Sequence, residues 1–259
     1  MDSHTLWGMI HVPSLPGSGN NTQSIDEIIN FCLNDAQTFF ENGINHLFIE
    51  NFGDAPFPKN NVDPQVIAAL TTIIDHIKAH FPHTEFGVNV LRNDAIAALA
   101  IASITQSYAI RVNVLTHARL TDQGLIEGCA YELAKFRRQL KSEVEVWADV
   151  EVKHSFPLAS IPLPDAIHDM IERGGANRII FSGSRTGSEV DLSILKNLVE
   201  GNILSPEKIV IGSGISEHNI TSFLPYARHF IVGSSLKIHN KLSNHIDPAK
   251  VSSLVAKVQ

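Results

Sequence analysis

Apolar runs of strand length alternate with segments of helical pattern along this 259-residue chain. Eight runs fall at 6–12, 46–51, 85–90, 108–115, 144–152, 177–182, 208–212 and 228–233. Ser24 with Glu27 forms a capping box for a helix to about Glu41, and Asp63-Pro64 opens one reaching about His80. Asn93 or Asp94 starts an Ala-rich helix, Thr121 or Asp122 a long one ending near Leu140, and Pro164 one that stops at Gly174-Gly175. Asp191, Ser216 with Asn219, and Asp247-Pro248 start the last three. Strict strand–helix alternation implies a parallel sheet, and eight units close a barrel. The expected fold is α/β, a single-domain (β/α)8 TIM barrel over residues 1–259, with an open doubly wound sheet as competitor. The loops 13–22 and 53–63 are long and are expected to lie over the barrel mouth as lids.

Three of the strands carry polar residues where a buried parallel strand is normally apolar throughout. In 143–154, Ala148, Val150 and Val152 share one face, while Asp149, Glu151 and Lys153 share the other. The runs 108–115 and 85–92 place Arg111, Asn113 and Asn89 in the same way, with Arg92 just beyond. Active sites of such barrels lie at the carboxyl ends of the strands. The inward residues expected there are His11, Glu50, Asn89, Arg111, Asn113, Asp149, Glu151, Lys153 and Ser182. Each alone has a structural explanation: His11 as a satisfied core histidine, Arg111 with Asp149 as a register-fixing ion pair. Polar groups on six strands near one end are harder to explain as structure, because barrel layers are normally filled with branched apolar side chains.

These residue types fit acid/base chemistry. Asp149 or Glu151 would act as general base or acid, and Lys153 and Arg111 would stabilise an oxyanion. His11 would shuttle a proton, and Glu50 would bind a hydroxyl. A variant makes Glu50, Asp149 and Glu151 ligands of Mg²⁺ or Mn²⁺, although the spacing is no metal signature. Another makes Lys153 a Schiff-base lysine, opposed by its acidic neighbours. Asp149→Asn and Lys153→Met are both expected to leave the fold intact.

The last third adds an anion signal. Ser182 and Ser184 follow the sixth strand, Gly212-Ser213-Gly214 the seventh, and Gly233-Ser234 the eighth, with Lys237 close behind. Small residues let a backbone approach a ligand closely, and many barrels hold a phosphate after strands seven and eight. A small phosphorylated metabolite, a sugar phosphate or a nucleoside-like compound, is the ligand this pattern suits.

Composition narrows the classes. A net charge of −7 and the lack of a large basic cluster argue against a nucleic-acid partner. Cys32 and Cys129 have no metal-ligand spacing and read as small buried residues of a reducing compartment. No run reaches the roughly 20 apolar residues of a transmembrane helix, and no signal peptide is evident, so a cytoplasmic location is expected. A homo-oligomer is compatible with all of this.

Long motifs carry a resemblance. Gly8-Met-Ile-His-Val-Pro-Ser-Leu-Pro-Gly17, Glu50-Asn-Phe-Gly-Asp-Ala-Pro-Phe57, Asn89-Val-Leu-Arg-Asn-Asp94 and Ala148-Asp-Val-Glu-Val-Lys-His154 resemble the BtpA family. The similarity runs from about Leu6 to Val258 and implies a TIM-type barrel. Founding cyanobacterial members are linked to photosystem I biogenesis, whereas others occur in organisms without a photosystem, near sugar-metabolism genes. The resemblance therefore implies either an enzyme of small-metabolite chemistry or a non-catalytic assembly and stability factor, and it brings no settled reaction. Glu151 stands where many members have Asp, and Arg185 interrupts the usual Ser-Gly-Ser-Gly-Thr-Gly form.

Overall fold

The computed structural model describes residues 4–152, 155–183 and 190–258. All eight expected strands form: β1 (Thr5–His11), β2 (His46–Glu50), β3 (Glu85–Asn89), β4 (Ala109–Val112), β7 (Glu145–Asp149), β9 (Arg178–Phe181), β10 (Ile209–Ile211) and β11 (His229–Val232). They pair in parallel and close, in the order β1-β11-β10-β9-β7-β4-β3-β2. Closure leaves no edge and removes the open-sheet alternative. The helices are α1 (Ile25–Glu41), α2 (Pro64–His80), α3 (Ala95–Ile104), α4 (Ala130–Leu140), α5 (Leu163–His168), α6 (Leu192–Glu200), α7 (Ile220–Phe223) and α8 (Pro248–Val255). The Ser24–Glu27 capping box is present at α1, and Asp94, Asp191 and Asp247 each cap their helix through a side-chain oxygen.

One expected helix boundary is wrong. Thr121 and Asp122 do not start α4; they belong to a hairpin of β5 (Ala118–Thr121) and β6 (Gly124–Glu127), which joins β8 (Ser155–Pro157) in a small antiparallel sheet. The turn is made locally: Thr121 Oγ1 donates to the Gly124 carbonyl at 2.9 Å, and Gly124 takes φ +89°. The helix starts only after the hairpin, at Ala130.

Two apolar layers hold the barrel. The outer faces of the strands pack against the helices in one large core. Inside, Trp7, Met9, Phe48, Ala109, Trp147, Ile180, Val210 and Ile231 form a second cluster. Trp7 and Trp147 meet edge to face at 5.0 Å, and Gly87 leaves the space that Phe48 fills, since a Cβ there would lie 2.3 Å from its ring. Below them Glu145 pairs with Arg178 and accepts from Tyr108 at 3.0 Å and from Trp147 at 2.7 Å. This plug fills the amino-terminal end, so the polar positions one layer up face the opposite mouth.

Candidate active site

The alternation that buries Trp7, Phe48 and Trp147 also points the next inward residues into the upper barrel. Register aligns four of them. His11 pairs with Glu50, Glu50 with Asn89, and Asn89 with Arg111, giving a polar row across β1, β2, β3 and β4. Asp149 ends β7 and is 2 % exposed. These residues line a cavity of about 450 Å³ at the carboxyl ends of the strands, together with Asn113, Gly212, Ser213, Gly214, Gly233 and Ser234.

The side chains form two hydrogen-bonded groups. Arg111 grips Asp149 with two bonds, Nε to Oδ2 at 2.9 Å and Nη2 to Oδ1 at 2.8 Å. Asn113 Nδ2 donates to Asp149 Oδ2 at 2.8 Å, and Ser182 Oγ to Oδ1 at 3.4 Å. Burial pulls the Arg111 guanidinium down, but Asp149 and Glu50 more than offset this and hold it above its ordinary range. The second group centres on Glu50. Asn89 Nδ2 donates to its Oε2 at 3.0 Å, and His11 Nε2 lies 3.6 Å from its Oε1. Asn113 Oδ1 has no hydrogen-bond partner among the described residues.

The Gly-Ser turns close the far wall. Ser213 Oγ accepts from the Gly183 amide at 3.1 Å, tying the β10 turn to the end of β9. A Cβ at Gly212 would lie 2.4 Å from Ile180, and one at Gly233 would lie 2.5 Å from His11 Cε1. Both glycines are therefore required by close packing, and Gly233 directly sets the space of the His11 ring.

Three expectations need correction or reassignment. Glu151 does not share the inward face: β7 stops at Asp149 and Glu151 is exposed. The chain bends at Val150 and Glu151, and Val152 packs with Val114 and Ile126 in a small cluster apart from the helix-facing core. Glu151 lines a neighbouring hollow of about 300 Å³ with His117 and Arg119, which shares Asn113 and Asp149 with the main cavity. Lys237 does not reach the cavity; it is fully buried against Asp35. Lys153 and Ser184 lie outside the described residues. With Glu151 turned away, the Glu50, Asp149 and Glu151 donor set does not converge, and Asp149 already accepts from Arg111, Asn113 and Ser182. That set does not fit a Mg²⁺ or Mn²⁺ ion. Among the described residues no group of three His, Cys, Asp or Glu side chains is placed to hold a metal.

Other lining residues escaped the sequence reading. Phe52 and Phe57 border the cavity, and Phe52 meets His11 edge to face at 5.3 Å. Asp122 reaches it from the hairpin. Arg92, which the sequence already placed just beyond Asn89, lines it as well; burial pulls its guanidinium down, with Asp149 and Asp122 opposing. The loop acids and amides in between serve as staples. Asp54 accepts from the Leu15 amide at 2.7 Å and from Asn51 Nδ2 at 3.0 Å, and Asn51 Oδ1 accepts from the Leu91 amide at 2.8 Å. Asn93 bonds both polar atoms of the Val114 backbone, and Asp94 takes the Val62 amide at 2.9 Å. Successive βα loops are thus tied rim to rim, and 13–22 and 53–63 are linked rather than hanging as separate lids.

Known proteins share this frame. A 3-hexulose-6-phosphate synthase from Salmonella typhimurium superposes with a TM-score of 0.57 at 12% identity, covering 98% of each chain. A thiamine phosphate pyrophosphorylase from Pyrococcus furiosus gives 0.58 at 10% identity, covering 99% of this chain and 96% of the other. At such identities the likeness is one of fold. In sequence, the photosystem I biogenesis protein BtpA of Synechocystis sp. is 44% identical over 248 residues, covering 96% of this chain and 85% of its own. The BtpA family model matches residues 2–259. A match of that extent, with a relative so similar across nearly the whole barrel, places the chain in the BtpA family.

Proposed function

We propose that this barrel is an enzyme acting by acid/base chemistry on a small phosphorylated metabolite, a sugar phosphate or a nucleoside-like compound. The observation that carries this reading is the convergence, in one cavity, of the His11–Glu50–Asn89 group, the Arg111–Asp149 pair and two Gly-Ser turns. The turns would take the phosphate, as loops after the seventh and eighth barrel strands commonly do. His11 and Glu50 would move the proton. Asp149, whose oxygens are occupied by donors, is better placed to hold Arg111 than to accept a substrate proton, so the base role passes from Asp149 to the His11–Glu50 pair. Arg111 and Arg92 would stabilise negative charge developing on the substrate, and the open acceptor Asn113 Oδ1 would read a hydroxyl. Two solved neighbours whose names carry a phosphorylated compound lend support by analogy of fold.

The test is a thermal-shift screen of sugar phosphates and nucleotides, with and without Mg²⁺, followed by turnover assays on the compounds that stabilise the fold. His11→Ala and Glu50→Gln should lower kcat by about 10²- to 10⁴-fold, the usual contribution of a positioned acid or base. Full turnover in both variants, or a broad screen without a stabilising compound, would refute the reading.

A second reading is a non-catalytic assembly or stability factor, favoured by the name of the Synechocystis relative, a photosystem I biogenesis protein. An exposed apolar row supports it: Leu120 pairs across the small sheet with Leu125 and Phe156, and Phe156 is 74% exposed. On this reading, polar substitutions along that row abolish function while His11→Ala does not.

A further inference from the structure

The chain after β11 contains a buried ion pair that the cavity does not use. Lys237 Nζ lies 2.6 Å from Asp35 Oδ2, and neither side chain has any exposed surface. Asp35 sits within α1, on the outside of the barrel. It also accepts from the Ile246 amide at 3.1 Å and from His245 Nδ1 at 2.9 Å. Lys237 is held on its backbone too, with its carbonyl accepting from Lys250 Nζ at 2.9 Å. The Asp247 amide bonds to the Leu236 carbonyl at 2.8 Å, and Lys237 bridges Ile246 in a short antiparallel contact. Lys237 directly follows the 3-10 turn Ser234–Leu236, whose Ser234 and Ser235 line the cavity.

A buried ion pair is a poor way to gain stability, because taking both charges out of water offsets most of their attraction, and an apolar pair of similar volume often does as well. What such a pair does supply is direction: a short, charge-assisted bond fixes one lysine length and one angle. We infer that Asp35 and Lys237 are positioning residues that hold the Gly233–Leu236 turn in the shape it presents to the cavity. The inference rests on the phosphate reading of that turn. It also assigns Lys237 a role different from the direct anion contact expected from sequence. A turn that samples several shapes binds more weakly in proportion to the fraction of time it is competent.

The experiment compares the wild type with the double variant Asp35→Asn/Lys237→Met, which removes both charges while the amide oxygen at position 35 can still accept from the Ile246 N–H. Three quantities are read: the melting temperature, amide hydrogen exchange over 232–237, and the affinity for inorganic phosphate. The expected result is a melting temperature close to wild type, exchange in the turn faster by about tenfold, and phosphate bound about tenfold more weakly. A purely structural pair predicts the opposite coupling, with binding recovering as stability does. Should the double variant fail to fold, Asp35→Asn/Lys237→Gln keeps the volume, and the same two readouts should move in the same direction. Unchanged exchange and unchanged affinity in a folded variant would overturn the inference. A wild type that binds no phosphate would instead refute the anion reading, and the exchange measurement would still decide the positioning role.

Discussion

Asp149 accepts four hydrogen bonds, two of them from a buried guanidinium. Asp149→Asn would leave Arg111 charged, buried and without its counter-ion. The expected cost is about 3–5 kcal/mol, read by urea denaturation, because breaking one half of a buried pair is far worse than replacing both. This reverses the sequence-based expectation that Asp149→Asn leaves the fold intact. The double change Arg111→Met/Asp149→Asn should recover most of the loss, because no charge is then buried alone and the amide oxygen can still accept from Asn113. Gly233 gives a second prediction at this scale. An alanine Cβ would meet His11 Cε1 at 2.5 Å and Met9 Cβ at 2.9 Å, so Gly233→Ala must push the imidazole aside. It should cost about 1–3 kcal/mol of stability, the usual range for overpacking, and lower turnover as far as His11→Ala does. Turnover at the wild-type level would show that the His11 ring position is irrelevant.

At the scale of elements, the loops matter as a tied ring. Asn51 is buried and bonds both Asp54 and the Leu91 amide, so Asn51→Ala would leave two polar groups unsatisfied. A loss of about 1–3 kcal/mol is expected, with hydrogen exchange rising together in 13–22 and 53–62. A rise confined to one loop would contradict the linkage. The strands and most helix starts were legible because alternation and capping act locally: Ser24 with Glu27, Asp94, and the outward aliphatic face of 144–150 each decide their own geometry. The exceptions were settled by distant partners. Thr121-Asp122 has the chemistry of an N-cap, yet a hairpin wins because β5 finds strands on both sides. Glu151 follows the right alternation, but the chain bends at Val150 and Glu151, and Val152 packs with Val114 and Ile126. Lys237 sits in the right place in sequence for an anion, but Asp35, 202 positions earlier, captures it. Asn51 and Asn93 stood inside recognisable motifs, and nothing in one sequence separates an amide that staples loops from one that meets a ligand.

For the whole molecule, the plugged lower end makes a pH prediction. Burial, with Arg178 and His46 nearby, pushes the His229 imidazole down to about 3. Its folded value lies below its unfolded one of about 6.5, so the unfolded chain takes up the proton first as pH falls. The stability this contributes is fully present above about pH 6.5 and is lost progressively toward pH 3, by up to a few kcal/mol. Chemical denaturation at pH 7 and pH 4.5 should show the decline, and His229→Gln should flatten it. An unchanged slope would mean that other groups carry the acid sensitivity. Among the described residues no helix is long and apolar enough to cross a membrane, and the architecture directs its polar groups inward to one open mouth. The most direct test of that account is a crystal structure with a bound sugar phosphate. The prediction is a phosphate within hydrogen-bond distance of the Gly212–Gly214 and Gly233–Ser235 backbones, with the sugar hydroxyls against His11, Glu50 and Asn113. Density for the ligand outside the barrel mouth, with the cavity still filled by water at saturating concentration, would contradict it.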